Sequence, residues 1–360
     1  MSLFQENFAA TLAPMRVRFG AGARHLVAEE MERLGLSRAL ILTTPQQADT
    51  GAEFAAALGA QAVGVYSGAA MHTPVAVSEE ATAQAIALGA DCVVAVGGGS
   101  TTGLGKAIAL ESGLPILAIP TTYAGSEMTP IYGITEGGLK KTGKDPRVLP
   151  RTVIYDPELT LTLPLGMSVT SGMNAIAHAA EGLYAQDSNP VMDLMAEEGI
   201  RAIAQAIPAI RNHSDDIEGR SNALYGAWLC GTVLGNVGMA LHHKLCHTLG
   251  GSFNLPHAEV HTVVVPQAIA FNAQAAPRAM QRIERAMGGK VSAAAGLYDL
   301  AKDNGAPVAL RDIGMQESDL DRATDIALSN PYWNPRPFGV AERNEIRALL
   351  QRAFEGVRPD

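Results

Sequence analysis

From Met15 to Asp156 the chain alternates short apolar, β-branched runs with stretches of helical period, and that alternation limits the fold more than any other feature. MRVRF precedes ARHLVAEEMERLG, RALILTT precedes GAEFAAALGA, AVGVY precedes VSEEATAQAIALGA, and CVVAV precedes a helical pattern over 103–112, with ILAIP and TVIYD closing the series. A helix after each strand carries the chain back to the same end of the sheet, so the strands run parallel and helices cover both faces. Downstream of YDPELTLTLP (155–164) helical patterns dominate, broken by NP at 189, LGG at 249 and NPYWNPRP at 330. The expected organisation is an α/β domain with a Rossmann-like parallel sheet over 1–160 and an all-α domain over 161–360, since 360 residues exceed one ordinary core. No repeat or low-complexity segment competes with this reading.

The fourth strand runs straight into Gly97, Gly98, Gly99 and Ser100, with a helix predicted to open around Thr102. Glycines there let a backbone approach a pyrophosphate, and a helix N-terminus supplies unpaired N–H groups and a favourable dipole. The loop is not the G-x-G-x-x-G fingerprint, and a glycine turn between strand and helix also serves purely structural ends. After the second strand the chain reads Thr43, Thr44 and no carboxylate before Asp49. An acidic residue in that place bonds the ribose 2'-hydroxyl and repels a 2'-phosphate, so discrimination between NADH and NADPH should be weak.

Five of the nine histidines fall between His242 and His261. His243 and His247 stand four apart in an apolar helical stretch and share one face; Asn174 and His178 repeat the spacing on another. Gly250 and Gly251 are expected to break the first of these helices and return His257 to the same neighbourhood. Three imidazoles and one oxygen donor would satisfy a four-coordinate divalent ion.

The segments AVGGGSTTGLGKAIA, PTTYAGSEMTP, SGMNAIAHAAEGLYA and HHKLCHTLGGSFNLPHAEVH, in that order and over nearly the whole chain, resemble the iron-containing (group III) alcohol dehydrogenase superfamily, and within it the maleylacetate reductases. The resemblance implies that Gly97, Gly98, Gly99, Ser100, Thr121, Thr122, Ser126 and Thr44 face the dinucleotide, with the active site in a cleft between the domains. It maps the metal ligands of metal-dependent relatives onto Asn174, His178, His243 and His257, and places His247 at the nicotinamide side. Two departures are visible: Gly103 stands where relatives often carry Asp, and Asn174 where they carry an aspartate ligand. An amide is a poorer donor than a carboxylate to such a cation, so the site is expected to be vestigial and metal-free.

The reaction implied is the NADH- or NADPH-dependent reduction of the enone C=C of 2-maleylacetate to 3-oxoadipate in the breakdown of aromatic compounds. The candidate catalytic residues are His243, His247, His178 and His257. A dicarboxylate substrate calls for cations, for which Lys244, the stretch LKKTGKDPR (139–147) and Arg336 are candidates, with Asn174 and Tyr123 as further substrate contacts. His25, His72 and His213 lie in polar segments and are expected at the surface, and His242 and His261 are expected to support the pocket. A metal-dependent alcohol or polyol dehydrogenase of the same superfamily, and an inactive dinucleotide-binding paralogue, stay open as alternatives. A net charge of −9, from 27 basic and 36 acidic residues, argues against nucleic acid. There is no apolar run long enough for a bilayer, and MSLFQENFAATLAP lacks the pattern of a secretory leader. Cys92, Cys230 and Cys246, all in apolar contexts, suit a reducing compartment, so the expectation is a cytoplasmic protein, no membrane partner and, by the resemblance, a homodimer.

Overall fold

The computed structural model describes residues 12–13, 15–137 and 139–360, so the reading of the first residues as free of a leader lies outside the described part. The chain divides into two compact units, Ala13–Leu163 and Pro164–Asp360.

The first unit is built on a six-stranded parallel sheet in the order β1-β8-β5-β4-β2-β3. Its strands are β1 (Arg16–Phe19), β2 (Ala39–Leu42), β3 (Ala62–Tyr66), β4 (Cys92–Gly97), β5 (Ile116–Pro120) and β8 (Thr152–Tyr155). Strands β2, β4 and β5 are buried along their whole length, as their unbroken apolar sequences require. Their alternate side chains feed two separate cores. Ile41, Val94 and Ile119 pack with Met31 of α1 (Val27–Arg33) and Phe54 of α2 (Ala48–Leu58). Leu40, Val93 and Ile116 pack with Ala85 of α3 (Val75–Ala87) and Ile108 of α4 (Gly99–Ser112). Helices therefore cover both faces. The strand order reverses between β2 and β4, and in open parallel sheets ligands bind beyond the carboxyl ends of the strands at such a reversal.

Among the described strands β1 stands at the end of the sheet and pairs with β8 alone, from Arg16↔Thr152 to Phe19↔Tyr155. The buried carboxylate of Asp156, just past β8, accepts from the N–H groups of Gly22 and Arg24 at 3.2 and 3.1 Å, fastening the turn after β1. Most of the basic stretch 139–147 is strand, since β7 (Leu139–Lys144) forms an antiparallel hairpin with β6 (Ile131–Glu136). A two-stranded ribbon with a partly exposed first strand has no fully apolar face, so no alternation betrayed it. Helix α4 also opens earlier than expected, at Gly99.

The second unit is helical throughout: α5 (Leu165–Gly182), α6 (Pro190–Asn212), α7 (Ile217–Asn236), α8 (Leu241–Phe253), α9 (His257–Asn272), α10 (Pro277–Ala286), α11 (Ala293–Asp303), α12 (Leu320–Ser329) and α13 (Arg343–Glu355). Asn189 caps α6, its Oδ1 accepting from the N–H groups of Val191 and Met192. Helix α5 is buried from Ser168 to Gly182, so every polar residue on that length must find a partner inside the protein. Gly250 and Gly251 do not break α8, contrary to expectation. They cost roughly 1 kcal/mol each in helix propensity, a price the packing of Leu245 and Leu249 covers. The helix ends instead at Asn254, which takes the left-handed conformation (φ 53°) that asparagine tolerates. Among the described residues no single helix is long and apolar enough to cross a membrane.

Candidate active site

Asn174, His178 and Glu181 recur at i, i+4 and i+7 on α5 and form one polar stripe along a buried helix. Glu181 meets the start of α8. Its carboxylate accepts from the backbone N–H of His242 at 2.7 Å and of His243 at 3.2 Å, and lies 2.5 Å from His243 Nδ1. Ala240, the residue preceding α8, has no side chain with which to cap it, so a distant carboxylate satisfies the orphan donors of the first turn. On its other side His243 Nε2 lies 2.9 Å from His178 Nδ1. The result is a continuous buried chain, Glu181–His243–His178.

A second polar pair sits beside it. His242 Nε2 is 2.9 Å from His261 Nδ1, and the Cys246 thiol is 3.5 Å from His242 Nε2. Burial, reinforced by the neighbouring imidazoles, holds both His242 and His261 well below the ordinary histidine range, so both are neutral. Ring nitrogens of His178, His243 and His261 lie within 4.8 Å of one another. His257 is the first residue of α9 and half-buried, whereas His261, one turn further in, is fully buried. The two rings remain neighbours, 4.4 Å between centroids.

His247 is exposed, with its Nδ1 3.0 Å from the hydroxyl of Tyr332 and its ring 6.0 Å from that of His243. The Lys244 ammonium stands 5.6 Å over the Tyr332 ring, and partial burial lowers its pKa. Lys244 makes no ion pair among the described residues. Of the other candidate cations, Arg336 pairs with Glu345 and stacks 4.0 Å from the Phe271 ring, Lys141 pairs with Glu136, and Arg147 with Asp145. Tyr123 is wholly buried. His25 and His213 are exposed as expected, and His72 is half-buried with a left-handed backbone (φ 64°). Sequence reasoning missed Glu181, His261 as a cluster member, and Tyr332. Only Glu181 left a signal, its spacing of three from His178.

These residues fit a divalent cation poorly. The oxygen donor is the Asn174 amide, whose buried Oδ1 has no hydrogen-bond partner. The nearby carboxylate, Glu181, accepts from two backbone N–H groups and lies against the His243 ring, and two of the imidazoles hydrogen-bond each other. Without an anionic ligand the set lacks the charge that favours such an ion.

In the sheet unit, Gly97 ends β4 with φ 154°, and a Cβ there would fall on the Thr101 hydroxyl, so only glycine is free of strain. A Cβ on Gly98 would come within 2.8 Å of the Thr122 methyl, whereas one on Gly99 would meet nothing within 4 Å. Thr121 N–H donates to Gly97 O at 3.1 Å, and its hydroxyl accepts from Gln47 Nε2 at 3.1 Å. The glycine turn, the threonine segment and the residues after β2, Thr44 to Gln47, thus gather at the reversal of strand order. Lys106, fully buried on α4, donates to Ser126 O (2.7 Å), Thr129 Oγ1 (2.9 Å) and Ile131 O (2.7 Å), stapling the segment after Thr122 to α4. Burial pushes this ammonium down to about 7, opposed by the Glu127 carboxyl.

A parallel sheet whose glycine turn stands at the strand-order reversal, together with a helical unit carrying Asn174, His178 and His243 on buried helices, matches one family along almost the entire length. Residues 14–157 match the iron-containing alcohol dehydrogenase model and residues 168–354 its C-terminal counterpart, and the chain belongs to this family of oxidoreductases. Within it the resemblance narrows to maleylacetate reductases. The chain is 61% identical to the maleylacetate reductase of Burkholderia cepacia over 344 residues, covering 96% of this chain and 97% of that protein. The crystal structure of maleylacetate reductase from Agrobacterium tumefaciens superposes with a TM-score of 0.94 at 56% identity, covering 99% of this chain and 100% of the other. That of an iron-containing alcohol dehydrogenase from Corynebacterium glutamicum gives 0.93 at 42%, covering 99% of each chain.

Proposed function

We propose that this protein is an NAD(P)H-dependent oxidoreductase that reduces the carbon–carbon double bond of 2-maleylacetate to give 3-oxoadipate. The observation that carries the reading is identity above 50% to named maleylacetate reductases along nearly the whole chain. The buried histidine chain beside an amide is the chemistry such a reaction asks for. Hydride adds to the carbon β to the ketone, negative charge gathers on the ketone oxygen as an enolate, and a proton then reaches the neighbouring carbon. A hydrogen-bond donor and a proton source suffice for this, and His247 offers them from the exposed side, its ring 6.0 Å from that of His243 and the buried His243–His178 chain behind it. Oxidising an unactivated alcohol, by contrast, calls for a Lewis acid to stabilise an alkoxide.

In this reading the reaction is metal-independent, as the neutral donor set around Asn174 supports. Lys244, desolvated and outside any ion pair among the described residues, takes a substrate carboxylate. Gly97, Gly98, Gly99, Ser100, Thr121, Thr122, Ser126 and Thr44 hold the dinucleotide, and the absence of a carboxylate after β2 lets either NADH or NADPH serve. Three buried, unpaired cysteines support a cytoplasmic setting, and the place of β1 at the end of the sheet among the described strands supports a homodimer. A second reading, a metal-dependent dehydrogenase, rests on the mutual approach of the His178, His243 and His261 nitrogens. Following NADH loss with maleylacetate, with and without a chelator, separates the two. Turnover that survives chelation supports the first, and turnover that needs added iron or zinc supports the second.

A further inference from the structure

We propose that Glu181 is a positioning residue that sets the tautomer and ring orientation of His243, and through His243 the direction of the hydrogen-bond chain to His178. The proposal rests on the reductase reading for its kinetic part only. An ionised carboxylate offers acceptors alone, so the hydrogen between Glu181 Oε2 and His243 Nδ1, 2.5 Å apart, belongs to the histidine. In a neutral His243 ring Nε2 is then an acceptor. The hydrogen in the 2.9 Å contact with His178 must come from His178 Nδ1, so the chain runs in one sense, from His178 through His243 to Glu181. Capping α8 would need only the two backbone bonds that Glu181 already accepts. The third bond, to the ring, exceeds that need. It makes one side chain, 1% exposed, fix both where His243 starts and which of its nitrogens carries hydrogen. Orienting partners of this kind hold catalytic imidazoles in the working tautomer, and losing one typically lowers turnover by about tenfold or more.

Glu181→Gln changes what faces the ring. With its carbonyl oxygen still accepting from the His242 N–H, its amide takes the place of Oε2, where it gives up the bond from the His243 N–H and demands an acceptor at His243 Nδ1, which reverses the chain. The experiment is long-range 15N–1H correlation of histidine-labelled enzyme at one pH, with the His243 signals assigned by their absence in His243→Gln, alongside kinetics with maleylacetate. The expected result is hydrogen on His243 Nδ1 in the unaltered enzyme and on Nε2 in Glu181→Gln. Alongside it, kcat falls at least about tenfold while KM for NADH stays within about twofold. Hydrogen on Nε2 in the unaltered enzyme overturns the proposal, as does a Glu181→Gln variant with an unchanged tautomer or unchanged kcat. If that variant does not fold, the spectrum of the unaltered enzyme still decides the tautomer. Absence of any maleylacetate turnover in the unaltered enzyme would overturn the functional reading instead and leave the spectrum to judge Glu181.

Discussion

Replacing Gly99 with valine tests where the dinucleotide sits without first damaging the fold. The three glycines of the turn are not equivalent. At Gly97 any side chain meets a left-handed backbone and the Thr101 hydroxyl, and at Gly98 a Cβ lies 2.8 Å from Thr122, so a defect in either variant could be structural. At Gly99 a Cβ enters open space, φ is not left-handed, and the residue is the first of α4. Valine is a better helix former than glycine by a few tenths of a kcal/mol, so the melting temperature should hold or rise slightly. If the cofactor pyrophosphate approaches the N-terminus of α4, the branched side chain occupies the space it needs and removes backbone N–H contacts. KM for NADH should then rise at least about tenfold, roughly 1.4 kcal/mol of binding, with Gly99→Ala intermediate. Initial rates against NADH at saturating maleylacetate, with a thermal melt of each variant, make the measurement. An unaltered KM in a variant of unaltered stability would remove the dinucleotide from this turn and refute the reasoning.

Purified enzyme should carry far less than one metal per chain and keep its activity through exhaustive chelation; one iron or zinc per chain, with activity following the metal, would reverse that conclusion. Asn174→Asp should restore an anionic donor and tighten zinc binding by about tenfold or more in titration calorimetry, while lowering maleylacetate turnover. His243→Ala should depress kcat by about a hundredfold to a thousandfold, whereas His25→Ala, at an exposed site, should leave steady-state kinetics unchanged. Lys106→Met leaves Ser126 O, Thr129 Oγ1 and Ile131 O without their buried donor, removes the positive charge felt by Glu127, and frees the segment after Thr122. Chemical denaturation should register a loss of about 3 kcal/mol or more, and KM for NADH should rise with it.

The sheet was legible because β2, β4 and β5 are apolar on both faces, a pattern with few other uses, and because β2 and β4 are each followed by a helix. The histidines were legible as pairs through their spacing of four. What the sequence hid were relations that depend on packing between helices. Glu181 sits on α5 three residues from His178, yet its partners lie some sixty residues away at the start of α8. His257 and His261 share a face of α9, and only the depth to which that helix is buried brings His261 beside His178 and His243. The glycine pair in α8 misled for a simpler reason: glycine lowers helix propensity without forbidding a helix, and tertiary packing outweighs it.

Strand β1 is the first to leave the ribosome and the last to find its neighbour. Its register partners, Thr152 to Tyr155, are made about 135 residues later, which at ordinary rates of synthesis is a wait on the order of ten seconds. Until then the edge of β5 that β8 will cover is open, and the buried Asp156 that fastens the turn after β1 does not yet exist. Closing so long a loop is entropically slow, so the sheet can only be completed late. A nascent chain halted before residue 152 should therefore remain open to proteases and chaperones at β1, and one released beyond residue 156 should become resistant there.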